Sequence, residues 1–164
     1  MIRFKLLKRI FPHLVNEDFT GLVPPNQIIG THRVYMRRWF LSPIVRGKRR
    51  WYLHNFVNSD DDRALHDHPA ASVSIILWNG YYEHTADGKR HRRWPGQIIF
   101  RKATDAHRIE LFMDIHERPK QAWTLFRFAP KEREWGFLCP KGWRHWRDFT
   151  AGENGESIGK GCAD

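Results

Sequence analysis

The sequence has few cysteines and no long apolar run. Its 164 residues contain two cysteines, Cys139 and Cys162, which are too few and too late in the chain for the disulfide framework of a small secreted domain. We therefore expect two free thiols in a reducing compartment, with Cys139 buried as a small apolar residue. Apolar runs are shorter than a bilayer-spanning helix requires, and the basic N-terminus lacks the cleavage site of a secretory signal. These absences predict a cytoplasmic protein without a transmembrane segment.

Acidic residues are scarce relative to basic ones. The chain has 18 Asp and Glu against 28 Lys and Arg, which gives a formal net charge of +10. Such a charge is typical of proteins that bind nucleic acid, anionic lipid or an anionic small substrate. A solvated surface that maintains solubility explains the charge equally well. The hydrophobic content of 41% excludes disorder over most of the length, and the length fits one domain with a proper core.

Alternating polar and apolar residues predict many short strands. Residues 34–39 and 51–57 alternate in this way, and together they predict a hairpin. Asn79-Gly80 is a strong signal for a two-residue hairpin turn between a strand at 72–78 and a return strand at 81–85. Further strands are predicted at 97–101, 107–111 and 122–128. Short strands at this spacing are typical of an antiparallel sandwich or barrel.

The two ends of the chain differ from this pattern. Residues 2–15 place apolar side chains at helical spacing and predict a short amphipathic helix that stops near Pro12. Residues 151–164 are glycine-rich with little apolar content, and they predict a flexible C-terminal tail. We expect residues 1–150 to form a single domain.

The most distinctive motif is His66-Asp67-His68, followed by Pro69. On a strand, His66 and His68 project to the same side while Asp67 points to the opposite side. Two imidazoles on one rigid element can supply two ligands of a metal site. With ten histidines in the chain, chance alone produces roughly 0.6 such pairs, so the motif needs support from its surroundings.

The surrounding sequence resembles the two spaced motifs of the cupin superfamily, which are small β-barrels of jelly-roll topology. The first motif is Gly-x5-His-x-His-x4-Glu-x6-Gly, and its positions are Asp60, His66, His68, Val73 and Gly80. The second motif is Gly-x5-Pro-x-Gly-x2-His-x3-Asn, and its positions are Gly96, Lys102, Thr104, His107 and Leu111. Three histidines and two glycines therefore match, and the resemblance covers about residues 51–128.

The resemblance implies an all-β, single-domain jelly-roll barrel with a metal held by His66, His68 and His107. Val73 stands where the family usually has a metal-ligating glutamate, and the remaining three-histidine set resembles that of the thiol dioxygenases among the cupins. The implied cofactor is one divalent transition metal. Imidazole ligation suits Fe(II), which we favour, as well as Zn, Ni, Mn and Cu.

Three residues are candidates for catalytic roles. Glu83 follows the Asn79-Gly80 turn and is a candidate metal ligand, general base or partner of a ligand, with a salt bridge on the outer surface as the alternative. His54 shares a strand face with Tyr52, and both are candidates for contacts near the metal. The alternative for His54 is a satisfied position in the barrel wall.

Arginines beside the motifs are candidates for substrate binding. Arg63 and Arg101 lie between motif positions, one in each motif, and an arginine beside a metal pocket commonly binds a carboxylate or phosphate. Tyr81 shares a strand face with Glu83 and is a candidate for substrate contact or for the barrel wall.

These features lead to two hypotheses. The first is a metal-dependent enzyme that acts on a small anionic substrate inside the barrel, with oxygenation slightly favoured over isomerase or lyase chemistry. The second is a non-catalytic module that senses a ligand or metal and binds nucleic acid or an acidic partner through its basic surface. For both hypotheses a homodimer is expected, because cupins often pair through their sheets.

Overall fold

The computed structural model describes residues 8–9, 12–16, 21–30, 34–41, 50–60, 64–150 and 159–163. Within these ranges the chain forms twelve strands and a short C-terminal helix. The first six strands are β1 (Gln27–Ile29), β2 (Met36–Phe40), β3 (Arg50–Phe56), β4 (Leu65–His66), β5 (Ser72–Trp78) and β6 (Tyr81–Thr85). The remaining elements are β7 (Arg90–Arg93), β8 (Ile98–Arg101), β9 (His107–Leu111), β10 (Ala122–Phe128), β11 (Gly136–Cys139), β12 (Gly142–His145) and α1 (Trp146–Phe149).

The strands form two six-stranded antiparallel sheets. Sheet 1 has the order β1-β2-β3-β10-β5-β8, and sheet 2 has the order β12-β11-β4-β9-β6-β7. The alternation of buried and less buried residues along strands such as β5, β9 and β10 explains this architecture, because one face of each sheet must be removed from water. The predicted all-β, antiparallel barrel is therefore confirmed.

The core lies between the two sheets. Sheet 1 contributes Phe56 and Ile76, and sheet 2 contributes Tyr81 and Ile109, to one cluster of buried side chains. These residues alternate with outward-facing neighbours, as expected for strands with a period of two. Burial of such apolar surface supplies the main driving force for closing the two sheets on each other.

The two predicted hairpins have different outcomes. β2 and β3 pair antiparallel, with Met36 opposite Phe56, as the alternation predicts. β5 and β6 do not pair, because Asn79-Gly80 carries the chain from sheet 1 to sheet 2. The turn residues themselves have the expected positive φ angles of 59° and 93°. A Cβ atom at Gly80 would lie 2.1 Å from the carbonyl oxygen of Arg93, so this close approach requires glycine.

The prediction of two free thiols is wrong, because Cys139 and Cys162 form a disulfide. The chain after α1 returns to the barrel, where the Gly161 amide donates to the carbonyl oxygen of Phe149 at 3.0 Å. Residues 159–163 of the predicted flexible tail are thus attached to the barrel, whereas 151–158 and 164 lie outside the described residues. Disulfides are typical of oxidising compartments. The two free thiols, on which the expected cytoplasmic location partly depended, are therefore not available as an argument for it.

The N-terminal region is described only in part. Lys8 and Arg9 have helical backbone conformation, and the rest of the predicted helix up to Phe11 lies outside the described residues. Leu14 and Val15 follow as buried residues, so this region packs against the barrel. No helix in the described part of the chain is both long and apolar enough to cross a membrane.

Candidate metal centre

Three histidines lie together at two neighbouring strands of sheet 2, with His68 just beyond the end of β4. His66 of β4 pairs with His107 of β9, and His68 follows two residues after His66 on the same side. The ring centroids are 5.2 Å apart for His66 and His68, 4.9 Å for His66 and His107, and 5.1 Å for His68 and His107. One nitrogen from each ring lies within 4.8 Å of the other two. The structure thus brings together the three residues that the sequence motifs identify.

The chemistry of these rings fits a divalent transition metal. The Nε2 atoms of His68 and His107 lie only 2.9 Å apart. Burial, together with the other two histidines, holds the pKa of His68 well below its usual value. Burial and the nearby Arg101 lower the pKa of His107 to about 3. Neutral imidazoles that converge through their nitrogens are the form of histidine that binds metals.

Asp67 fixes the backbone between the two motif histidines. It points away from the ring cluster, as predicted, and it is buried. Its Oδ1 accepts a hydrogen bond from the Gly136 amide at 2.7 Å, and its Oδ2 accepts one from the indole nitrogen of Trp143 at 2.9 Å. Arg133 donates to the same carboxylate. These contacts anchor the His-Asp-His step to β11 and β12, so both imidazoles are held in place.

Glu83 lies behind His107 rather than on the outer surface. Its side chain is 1% exposed, and its Oε1 lies 2.8 Å from Nδ1 of His107. Arg101 Nε donates to Oε1 at 2.7 Å, and Arg93 Nε donates to Oε2 at 2.6 Å. Burial alone would raise the pKa of Glu83, but His107 and Arg101 lower it below its usual value. Glu83 is therefore an ionised partner of a candidate ligand, and it lies on the side of the ring opposite Nε2.

A second buried carboxylate lies near His66. Asp60 occupies the first position of the first motif, where the family has glycine. Its Oδ2 lies 3.8 Å from Nδ1 of His66 and accepts a hydrogen bond from the Ile109 amide at 2.7 Å. Sequence reasoning missed this residue because Asp60 belongs to the stretch Ser59-Asp60-Asp61-Asp62, which predicts a turn.

Val73 and its neighbours show that β5 supplies no carboxylate to the cluster. Val73 pairs with Phe100, whose side chain is 78% exposed, so Val73 faces outward. The inward residues next to it are Ser72 and Ser74, both buried. The missing glutamate of the first motif is thus not replaced from this strand.

The histidine cluster opens into a cavity of about 620 Å³ between the two sheets. This volume suits a small organic ligand. Of the sequence-predicted site residues, His54 and Tyr81 line the cavity together with the three candidate ligands. His54 accepts a hydrogen bond at Nε2 from Arg38 Nε at 2.9 Å and stacks on Phe126 with a centroid distance of 4.9 Å. Burial, followed by the charge of Arg38, lowers the pKa of His54.

Two other predicted residues, Tyr52 and Arg101, do not line the cavity. Tyr52 is buried and packs against rings that include His54 and Phe126, but it is not part of the cavity lining. Arg101 also lies outside the lining, because its guanidinium binds Glu83 and donates to Ser74 Oγ at 3.1 Å. The sequence predicted a substrate-binding role for Arg101; the structure pairs its guanidinium with Glu83, and the role itself stays a prediction. Arg63 lies outside the described residues.

Arg38 is a cavity residue that sequence reasoning did not identify as such. In the sequence it stands between Arg37 and Trp39, outside both histidine motifs. Arg38 is two residues from Met36 on the same strand, so their side chains project to the same face. Because Met36 is apolar and buried, this spacing is the signal that could have placed Arg38 on the inner face.

Comparison with solved structures identifies the fold. A cupin 2 conserved barrel domain protein from Rhodopseudomonas palustris matches with a TM-score of 0.53 and 11% identity, over 73% of this chain and 78% of that chain. A DMSP lyase from Ruegeria pomeroyi matches with a TM-score of 0.50 and 16% identity, over 66% of this chain. This chain spans 54% of the length of that lyase.

Sequence comparisons add no closer relationship. No protein-family model matches the sequence, and no curated protein is significantly similar to it. The structural matches share too few identical residues to transfer an activity, and they establish the architecture. The protein therefore has the cupin fold, with a three-histidine group that fits a metal ion between its two sheets.

Proposed function

We propose that the protein is a metal-dependent enzyme that acts on a small anionic substrate, with one divalent transition metal held by His66, His68 and His107. The observation that carries this proposal is the convergence of three imidazole nitrogens within 4.8 Å at the wall of a cavity of about 620 Å³. The positive net charge of the chain favours an anionic substrate.

We favour Fe(II) as the metal and oxygenation as the reaction, because the three-histidine set resembles that of the thiol dioxygenases. Iron would supply activation of dioxygen, and a non-redox metal would supply polarisation of a substrate oxygen. The alternative reaction is lyase or isomerase chemistry, and the structural similarity to a DMSP lyase supports keeping it as the second candidate.

The surrounding residues have separate proposed tasks. Ionised Glu83 holds the proton of His107 on Nδ1, which leaves Nε2 as an electron-pair donor. Arg101 holds the carboxylate of Glu83 in position. Tyr81 and His54 contact the substrate in the cavity, and Tyr52 supports the ring of His54, against which it stacks at 5.7 Å.

Elemental analysis of the purified full-length protein tests the proposal. We expect about one divalent transition metal per chain, and alanine at His66, His68 or His107 should remove it while circular dichroism still shows a folded β protein. His116→Ala is the matched control, because His116 is exposed and lies outside the three-histidine group. Full metal occupancy in all three variants of the group would contradict the assignment.

The second hypothesis, a basic module for nucleic acid, receives less support. On the outer face of sheet 2, the guanidinium of Arg90 lies 3.5 Å from the ring centroid of Tyr82, and that of Arg92 lies 3.9 Å from that of Trp94. An arginine covers one face of each of these two rings, so that face is not open for stacking by bases. Salt-dependent binding of single-stranded RNA with high affinity, in a protein that carries no metal, would favour the module over the enzyme.

We further propose a homodimer formed through the outer face of sheet 1. Its edge strand β8 presents Ile98 and Phe100, which are 56% and 78% exposed and lie beside Val73 and Ile75 of β5. An apolar edge without outward charges is prone to pair with another chain. Light scattering should give a dimer for wild type and a monomer for Phe100→Glu. Ile115→Glu, at an exposed position outside the strands, should stay dimeric.

A further inference from the structure

A row of polar residues crosses sheet 1 on the wall of the cavity. Gln27 of β1 pairs with Arg38 of β2, and Arg38 pairs with His54 of β3. Residues that pair across neighbouring strands project to the same face of a sheet. All three line the cavity. Since Gln27 is exposed and His54 is buried, the row runs from solvent into the interior with the guanidinium of Arg38 at its centre.

The charge of Arg38 is not neutralised within the described part of the chain. Its Nε donates to His54 Nε2 at 2.9 Å and its Nη1 donates to Gln27 Oε1 at 3.2 Å, and both partners are uncharged acceptors. These bonds use two of the five N–H groups of a guanidinium. No carboxylate among the described residues forms an ion pair with it. The other arginines near the site differ, because Arg93 and Arg101 both bind Glu83.

The cavity therefore has a positive group on sheet 1 and the three imidazoles on sheet 2. Phe126, which also lines the cavity, has its ring centroid 4.9 Å from that of His54, the partner of Arg38, and 6.3 Å from that of His68. Burial lowers the pKa of Arg38, which shows that its charge carries a desolvation cost. A partly desolvated cation without an internal counter-ion is stabilised by an anionic ligand.

We propose that Arg38 binds the anionic group of the substrate, and that this substrate is a small organic acid whose apolar part lies along Phe126. The inference rests on the proposed function in that the opposite end of the acid lies at the three-histidine group. It assigns the anion-binding role to Arg38 instead of Arg101, whose guanidinium is already paired.

The test measures binding of acetate, butyrate and phenylacetate, with acetamide, butyramide and phenylacetamide as neutral counterparts. Titration calorimetry or ligand-observed NMR is carried out on the full-length protein, both zinc-loaded and metal-free, at constant ionic strength. We expect the acids to bind more tightly than the amides. Arg38→Gln should weaken binding of the acids by about 30-fold or more and leave the amides unchanged.

Arg37→Gln is the matched control, because Arg37 is the next residue on β2 and is exposed. It should bind the acids as wild type does. Arg38→Lys keeps the charge but loses the guanidinium fork, so it should retain part of the affinity for the acids. This variant provides the test if Arg38→Gln does not fold. Equal binding of acids and amides by wild type, no binding of any acid, or unchanged binding of acids by Arg38→Gln would overturn the proposal.

Metal content, measured in parallel, separates this inference from the proposed function. If the wild-type protein holds its metal but does not distinguish acids from amides, the anion site is refuted and the proposal of a metal-dependent enzyme is not affected. A protein that binds no metal refutes the enzyme, and its metal-free titration still decides whether Arg38 binds the acids.

Discussion

Replacing Glu83 by glutamine tests the electrostatic support of the candidate metal centre. Glutamine has nearly the same shape but removes the charge that Arg101 and Arg93 both contact. The Arg101 side chain is 5% exposed and that of Arg93 is 23% exposed, so the substitution leaves one buried and one partly buried guanidinium without a counter-ion. Breaking a buried pair in this way costs about 3 kcal/mol of unfolding free energy.

This loss should lower the melting temperature by roughly 6 to 12 °C for a chain of this size. Metal affinity should fall by about tenfold or more, because Glu83 contacts the back of His107. Calorimetric unfolding at neutral pH and competitive zinc titration measure the two effects. Glu110→Gln is the matched control, because Glu110 pairs with Arg90 and His84 on the outer face, where its side chain is 31% exposed. A pair of this kind contributes well under about 1 kcal/mol.

The pH dependence adds an independent check. The pKa of Glu83 is lower in the folded protein than its ordinary value, so its stabilisation is fully present above that ordinary value of about 4.3. It is lost as the pH falls through the folded pKa. The stability difference between wild type and Glu83→Gln should therefore be constant near neutrality and shrink below about pH 4. Equal stability and metal affinity of the two proteins at pH 7 would refute the reasoning.

Three further changes have defined outcomes. Gly80→Ala should lower the melting temperature by more than an ordinary surface change, because the new Cβ would lie 2.1 Å from the carbonyl oxygen of Arg93. Gly88→Ala is the control in the same thermal unfolding experiment, because Gly88 also has a positive φ but no atom lies within 4 Å of the added Cβ. Cys139→Ser should cost about 3 kcal/mol of unfolding free energy through loss of the disulfide, and an equal melting temperature of the variant under non-reducing conditions would contradict the crosslink. Asp67→Asn should weaken both stability and zinc affinity, because the uncharged amide loses the ion pair with Arg133; unchanged zinc affinity would show that the His-Asp-His step does not depend on this anchor.

Local pattern was sufficient to predict β2, β3, β5, β6, β8, β9, β10 and the three histidines, whereas β1, β7, β11 and β12 were not predicted. The alternation in 51–57 predicted that Tyr52 and His54 share a face, and both are buried. The motif spacing identified His66, His68 and His107, because the barrel fixes how many residues separate one inward position from the next. These predictions depend on short stretches of chain, in which side-chain direction follows from strand parity.

The misplaced features depend on which strands become neighbours. Asn79-Gly80 has the same local signal whether the following strand pairs in the same sheet or crosses to the other sheet, so the hairpin prediction was wrong. The disulfide joins residues that are 23 positions apart, and their approach depends on how the chain returns after α1.

The roles of Glu83 and Arg38 are set by the same long-range pairing. Glu83 pairs with Ile109 of β9, which turns its side chain toward the interior and next to His107. Arg38 becomes a cavity residue because β2 lies beside β3 in sheet 1. A single sequence does not give this arrangement of neighbouring strands, so Glu83 could be named as a candidate but not positioned, and Arg38 was not identified as a site residue.

The shortness of β4 couples metal binding to the C-terminal part of the protein. β4 has two residues and lies between β9 and β11 in sheet 2, where His66 pairs with both His107 and Phe137. A metal bound by His66 and His107 would cross-link the narrowest junction of the sheet. The β11–β12 hairpin and the segment bound through Cys162 lie on the far side of that junction. Metal loading should therefore slow amide hydrogen exchange in β11, which contains no ligand, so that the order of the C-terminal region reports the occupancy of the site.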